Sequence, residues 1–144
     1  MRVIVQRVKE ASVKVERKVV GKTSYGYLLL VGFTEGDTIK NIEEMVKKVI
    51  NLRVMDDENG VMNKSILDIN GSILSVSQFT LYADTRKGNR PSYVNALKGE
   101  LASPLYDKFN EELSKYLHVE TGIFGAEMEV SLINDGPITI MLEK

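Results

Sequence analysis

Ser77, Gln78 and Thr80 crowd into the middle of the stretch SVSQFTLYAD, which closes a run rich in branched and aromatic residues. Hydroxyls and an amide so close together could serve acyl chemistry in more than one way. A threonine hydroxyl can attack an acyl carbon, but it is a weak nucleophile without an adjacent base, and none is evident locally. The same strand end could instead present backbone N–H groups to a developing oxyanion, a role that needs geometry rather than acidic side chains. A third reading is structural, with polar side chains satisfying a strand terminus. In a regular ladder Ser77 and Thr80, an odd number apart, point to opposite faces.

Other catalytic equipment is sparse. The one histidine, His118, lies at the end of a helical pattern and reads as structural, favoured there as a cation at a helix C-terminus. One histidine and no cysteine leave no multi-His zinc site, no thiolate catalysis and no disulfide. DDENG mimics part of a calcium loop but lacks the alternation and the closing glutamate, so it reads as a turn. Neither a G-x-x-x-x-G-K-[ST] loop nor a strand-to-helix G-x-G-x-x-G is present. No metal and no cofactor are assigned.

Two further segments stand out. TRKGNR places Arg86, Lys87 and Arg90 close together with no acid among them; on charge alone this is a solvated loop. A net charge of −1 argues against general attraction to nucleic acid, so any RNA contact must be local. Near the C-terminus, Gly136-Pro137 interrupts an otherwise strand-like run, LINDGPITIMLEK. Proline lacks an N–H for a ladder and glycine weakens a strand, so the pair marks an edge, a bulge or a tight turn. It could also be a main-chain device, because X-Pro is the one peptide bond whose cis form lies only about 0.5–1 kcal/mol above trans.

The elements that must position these groups are legible from periodicity. Residues 2–8 and ASVKVERKVV alternate as strands, and YGYLLLVGF (25–33), apolar on both faces, reads as a central strand covered on each side. Ile39, Ile42, Val46, Val49 and Ile50 recur at helical spacing after Asp37 and Thr38, predicting a helix over about 38–52. GSILSVSQFTLYA (71–83) predicts one long buried strand. A second helix is predicted from Ser103 as cap and Pro104 in its first turn, with Leu105, Phe109, Leu113, Tyr116 and Leu117 as its stripe; RPSYVNAL before it suggests a helical turn or two. FGAEMEVSLIND and PITIMLE predict two strands joined or interrupted at Asp135-Gly136. Strands at both ends with helices between them predict an α+β fold: a β-barrel-like curved sheet with two main helices packed outside. Barrel closure or homodimer pairing would cover the sheet edges.

At 144 residues with 43% hydrophobic and 27% charged residues, the chain is expected to form one domain over 1–144. No apolar run approaches the roughly 20 residues a spanning helix needs, and the charged start is unlike a signal peptide, so a cytoplasmic protein with no membrane role is expected.

SVSQFTLYAD followed by TRKGNRPS, then TGIFGAEM and NDGPIT, strongly resembles the D-aminoacyl-tRNA deacylases, also called D-tyrosyl-tRNA deacylases. The resemblance runs end to end from MRVIVQRV and implies a homodimer with a β-barrel-like fold, hydrolysing the ester between a D-amino acid and the 3′-terminal adenosine of tRNA. It puts the catalytic motif on Ser77, Gln78, Phe79 and Thr80. Main-chain amides near Phe79 and Thr80 would hold the oxyanion and Gln78 would help hold the strand end and substrate, while Ser77 would be structural. Thr80 as attacking group is the alternative. The resemblance also implies that Gly136 and Pro137, joined cis, enter the partner's active site and reject L-aminoacyl groups, with Arg7 supporting that loop. Arg86, Lys87 and Arg90 become candidate phosphate contacts, and Phe124, Gly125, Ala126 and Met128 candidate adenosine contacts. Ile138, where valine is common in the family, is a one-methylene departure. A catalytically silent dimer that shelters the tRNA 3′ end is the competing reading.

Overall fold

In the computed structural model, which describes residues 1–144, the elements run β1 (Arg2–Val15), β2 (Lys18–Thr23), β3 (Gly26–Gly32), α1 (Ile39–Asn51), β4 (Met55–Asp56), β5 (Met62–Lys64), β6 (Ser72–Ser77), a 3₁₀ turn (Phe79–Tyr82), α2 (Gly99–Ser114), β7 (Val119–Thr121) and β8 (Glu129–Glu143). β1 organises the sheet. It pairs antiparallel with β3 through Arg2–Val8, with β2 through Ala11–Val15, and with β8 along nearly its whole length. β6 joins β3 in parallel and β7 joins β6. The two stretches expected as separate strands, 2–8 and the run from Ala11, start as one strand. Lys9 is an extra residue against Asn134 and Ile133, and such a bulge bends β1 so that its halves serve different neighbours. Positive φ at Glu16 (49°) and Arg17 (67°) then turns the chain tightly into β2, with the primed twist that suits a hairpin.

The sheet curls until β2 meets β7. Lys22 N–H donates to Glu120 Oε1 at 3.2 Å, and Gly21 approaches the Thr121 carbonyl so closely that a Cβ would sit 2.6 Å from it. Only glycine fits that seam. β3 is covered on both faces, as its sequence predicts. Tyr27, Leu29 and Val31 pack with Ile42, Met45 and Val49 of α1 and with Tyr106, Phe109 and Leu113 of α2. Leu28 faces the other way, with Val8, Val13, Leu74 and Val76 inside the curve. The expected barrel-like sheet with two outer helices is the observed architecture.

Differences from the sequence reading have local causes. α1 begins after Thr38 as expected, with the Thr38 N–H and hydroxyl both donating to Asn41 Oδ1; Met45 is buried in its stripe and Ile39 is exposed. α2 starts at Gly99, before the Ser103–Pro104 signal. Its buried stripe of Ala102, Tyr106, Phe109 and Leu113 extends one turn further upstream, and the helix carries Pro104 in its second turn, where the one intrahelical bond to Glu100 O is forgone. Leu105 is only partly buried and Tyr116 is exposed. RPSYVNAL is not helical; it is a turn segment held by Thr34 Oγ1 donating to Asn95 O (2.6 Å) and Leu97 N–H donating to Phe33 O (2.9 Å). The predicted strand 71–83 stops at Ser77, and the two strands expected on either side of Asp135-Gly136 run on as one, β8, whose pairing with β1 is interrupted at residues 135–138. α2 ends at Ser114, before His118, which is exposed and makes a side-chain hydrogen bond of 2.8 Å between Nε2 and Glu120 Oε2 in place of the expected helix-end role. DDENG forms the tip of the β4–β5 hairpin. No helix is long and apolar enough to cross a membrane.

Candidate active site

β6 ends where its pairing with β3 ends. Gln78 N–H makes the last bond, 2.7 Å to Val31 O, and the chain then tightens into the 3₁₀ turn, where Leu81 N–H donates to Gln78 O (3.3 Å) and Ala83 N–H to Thr80 O (3.0 Å). Strand propensity over 78–83 yields here to tertiary packing: Tyr82 folds back into a buried position under the Arg2 guanidinium, 4.6 Å from its ring centroid. A short helical turn leaves its first N–H groups without intrahelical acceptors. Those of Phe79 and Thr80 have no acceptor within the turn.

The turn opens onto a cavity of about 590 Å³. Ser77, Gln78 and Phe79 line one side and Phe124, Gly125, Ala126 and Met128 another, so two sequence segments singled out separately converge on one site. The volume is in the usual range for small-molecule pockets, about 300–1,000 Å³. Its floor is braced. Phe124 packs on Tyr106 with centroids 5.7 Å apart, and the Tyr106 hydroxyl donates to the carbonyl of Ser75 at 2.8 Å. Burial pushes the Tyr106 phenol up from its ordinary value, keeping it a neutral donor. At the rim Phe79 and Tyr93 meet edge to face at 5.1 Å.

Thr80 does not line the cavity. Its Oγ1 accepts from the Gln78 side-chain amide, an N–H donor rather than a base. Tyr93, Lys98, Gly99 and Ala102 line the cavity and were not anticipated. Their signal, the SYVNALKGE run before the strong helix pattern, is masked because turn and helix start are decided by docking onto Phe33.

The basic loop springs from the rim. Asp84 and Ser92 exchange backbone hydrogen bonds of 2.8 and 2.9 Å at its base, one residue from Tyr93. Arg86 is latched by a fork onto Asp84, Nε to Oδ1 at 2.9 Å and Nη2 to Oδ2 at 2.7 Å, which holds the Asp84 carboxyl down at about 2. Lys87 and Arg90 are exposed and make no ion pair with any acid of the chain.

Gly136 and Pro137 lie elsewhere in the chain and do not line the cavity. The peptide bond between them is cis, and Gly136 has φ 118°, a region that L side chains rarely adopt. The pair projects outward as an exposed excursion of β8 opposite Arg7. Arg7 is buried. Its Nη1 donates to Val54 O (2.9 Å) and Asp56 Oδ1 (3.0 Å), and its Nε lies 3.0 Å from Asp135 Oδ2, an ion pair by distance without the alignment of a hydrogen bond.

Comparison with known proteins first defines the class. The fold matches a solved structure described as a probable eukaryotic D-amino acid tRNA deacylase, with a TM-score of 0.85 over 98% of this chain and 97% of that one, at 17% identity. A second solved structure, the c-Myc DNA Unwinding Element Binding Protein, matches with a TM-score of 0.95 and 42% identity over 100% of this chain and 99% of the other. Residues 4–143 match the family model of D-Tyr-tRNA(Tyr) deacylase, and the chain belongs to that family. A D-aminoacyl-tRNA deacylase of Bacillus cytotoxicus is 56% identical over 144 residues, covering 99% of each chain. By family, therefore, this is an enzyme, a deacylase.

Proposed function

We propose that the chain, acting as one domain over residues 1–144, hydrolyses the ester between a D-amino acid and the 3′-terminal adenosine of tRNA, and spares the L-aminoacyl ester. One observation carries the reading: Ser77, Gln78 and Phe79 converge with Phe124, Gly125, Ala126 and Met128 on one cavity, beside a 3₁₀ turn whose first main-chain N–H groups have no acceptor within the turn. The apolar wall of Phe124 and Met128 suits an adenine face, and the Phe79 and Thr80 amides suit an ester oxygen that becomes negative as the carbonyl carbon turns tetrahedral.

An aminoacyl ester is already activated, so a base on the protein is not required. Water adds to the ester carbon, the C–O bond to the ribose O3′ breaks, and the proton reaches O3′ with help from the vicinal 2′-hydroxyl. Free amino acid and free tRNA leave. The protein contributes position and oxyanion stabilisation. Arg86, Lys87 and Arg90 stand where the loop can follow the phosphates of the acceptor end, Lys87 and Arg90 with their charges uncommitted.

The chiral filter is a second subunit's Gly136-Pro137. β8 leaves one long edge unpaired in the chain, with Ile133 49% and Met141 61% exposed, which favours a symmetric dimer over a lone subunit. In that dimer the excursion of one protomer enters the cleft of its partner. One main-chain carbonyl there accepts from the substrate ammonium, and the surface behind it excludes an L side chain. Exclusion by stiff backbone leaves the outward-facing D side chain free to vary. The setting is the cytoplasm, where charged tRNA is used.

Incubation of the protein with D-Tyr-tRNA and L-Tyr-tRNA tests the reading. Selective loss of the D ester is expected; tight binding of both without turnover would establish the silent end-binding dimer instead.

A further inference from the structure

The excursion at Gly136-Pro137 leaves a gap in the β1–β8 ladder. Gln6 pairs with Thr139 and Val8 with Asn134, so Arg7 faces the whole segment 135–138 instead of one residue. Backbone carbonyls in such a gap need other donors. The Asn134 side chain supplies them: Nδ2 donates to Arg7 O and to Ile138 O, each at 3.0 Å. Its Oδ1 accepts from Thr139 Oγ1 at 2.9 Å and from Gln6 Nε2 at 3.3 Å.

A primary amide has two N–H donors and a carbonyl with two lone pairs, and here all of them are engaged. The opposite amide orientation would set Oδ1 against two carbonyl oxygens, so the network admits only one. The contacts reach both strands and both flanks of the excursion. Arg7 grips the loop from the side through Asp135, whereas Asn134 ties its base.

We propose that Asn134 is the positioning residue that sets the aim of Gly136-Pro137, and thereby the strictness with which the enzyme rejects L-aminoacyl esters. The inference rests on the filter reading above. An error of about 1 Å at a reacting centre can cost about 100-fold in rate, and a steric filter is as sensitive to where its wall stands.

Asn134→Asp is nearly isosteric and replaces both donors with lone pairs facing two carbonyls. Thr139→Val keeps shape and removes one donor to Oδ1. For wild type, both variants and Pro137→Gly as loop reference, kcat/KM is measured on D-Tyr-tRNA and L-Tyr-tRNA, with circular dichroism and thermal melting alongside. The D/L ratio within one preparation cancels any lost active fraction, so a merely structural role does not move it. The ratio is expected to fall by at least about tenfold in Asn134→Asp and by about threefold in Thr139→Val. If Asn134→Asp does not fold, Thr139→Val decides: a lowered ratio supports the proposal and an unchanged one overturns it. An unchanged ratio in folded Asn134→Asp, beside a lowered one in Pro137→Gly, overturns the role of Asn134 alone. Unchanged ratios in all three overturn the filter reading and the Asn134 proposal with it.

Discussion

Arg7 and Asp135 stand 3.0 Å apart, Nε to Oδ2, and the same buried guanidinium reaches Val54 O and Asp56 Oδ1 across the β4–β5 hairpin. One side chain therefore joins the hairpin to the Gly136-Pro137 excursion. Lysine keeps the charge but not the planar fork, so Arg7→Lys leaves at least one of these acceptors unpaired. The expected loss is about 2–3 kcal/mol, below the roughly 3–5 for breaking a fully buried pair, because both carboxylates are partly exposed. Equilibrium urea unfolding measures it, and a variant within about 0.5 kcal/mol of wild type would contradict the bracing role.

Thr80 is held by Gln78 and is not among the residues that line the cavity, whereas Phe79 is. Thr80→Ala is therefore expected to keep kcat within about tenfold of wild type, whereas loss of a sole nucleophile costs several powers of ten. A D-Tyr-tRNA with 2′-deoxyadenosine at its end should in turn lose at least about 100-fold, as general acid–base assistance is removed. Single-turnover kinetics separates the cases. Collapse with Thr80→Ala and full activity on the deoxy substrate would reverse the assignment.

Arg86 is spent on Asp84, and Lys87 and Arg90 make no such pair. For phosphate contacts to a single-stranded end, each neutralised charge adds about 0.7 to the slope of log affinity against log salt. Lys87→Ala and Arg90→Ala should each flatten that slope by about this amount in binding of deacylated tRNA, and Arg86→Ala should flatten it less. Titrations at several salt concentrations read the slopes; equal slopes in all three variants would return the loop to plain solvent.

Much of the architecture was legible because it rests on local pattern. The double-sided apolarity of 25–33 announced a covered central strand, and the spacing from Ile42 to Ile50 announced α1. Where local signals competed, the stronger one misled. Ser103-Pro104 is a good helix start, yet α2 begins at Gly99 because Ala102 also finds burial. The branched run after Gly71 is good strand sequence, yet it turns at Gln78 because β3 has no further partner to offer and Tyr82 is drawn under Arg2.

By itself the sequence determined which segments stand out and the kind of backbone they require: a polar strand end, a glycine-containing apolar segment, and a Gly-Pro pair set against a strand. Only the tertiary structure decided that Ser77, Gln78 and Phe79 share one cavity with Phe124, Gly125, Ala126 and Met128, that the Thr80 hydroxyl is bonded to the Gln78 amide, and that Arg7 and Asn134 secure the excursion from two sides. The reason is physical. Periodicity encodes which face of an element seeks burial, whereas the meeting of segments remote in sequence depends on how a curved sheet closes and on which polar groups a gap in its ladder leaves without partners.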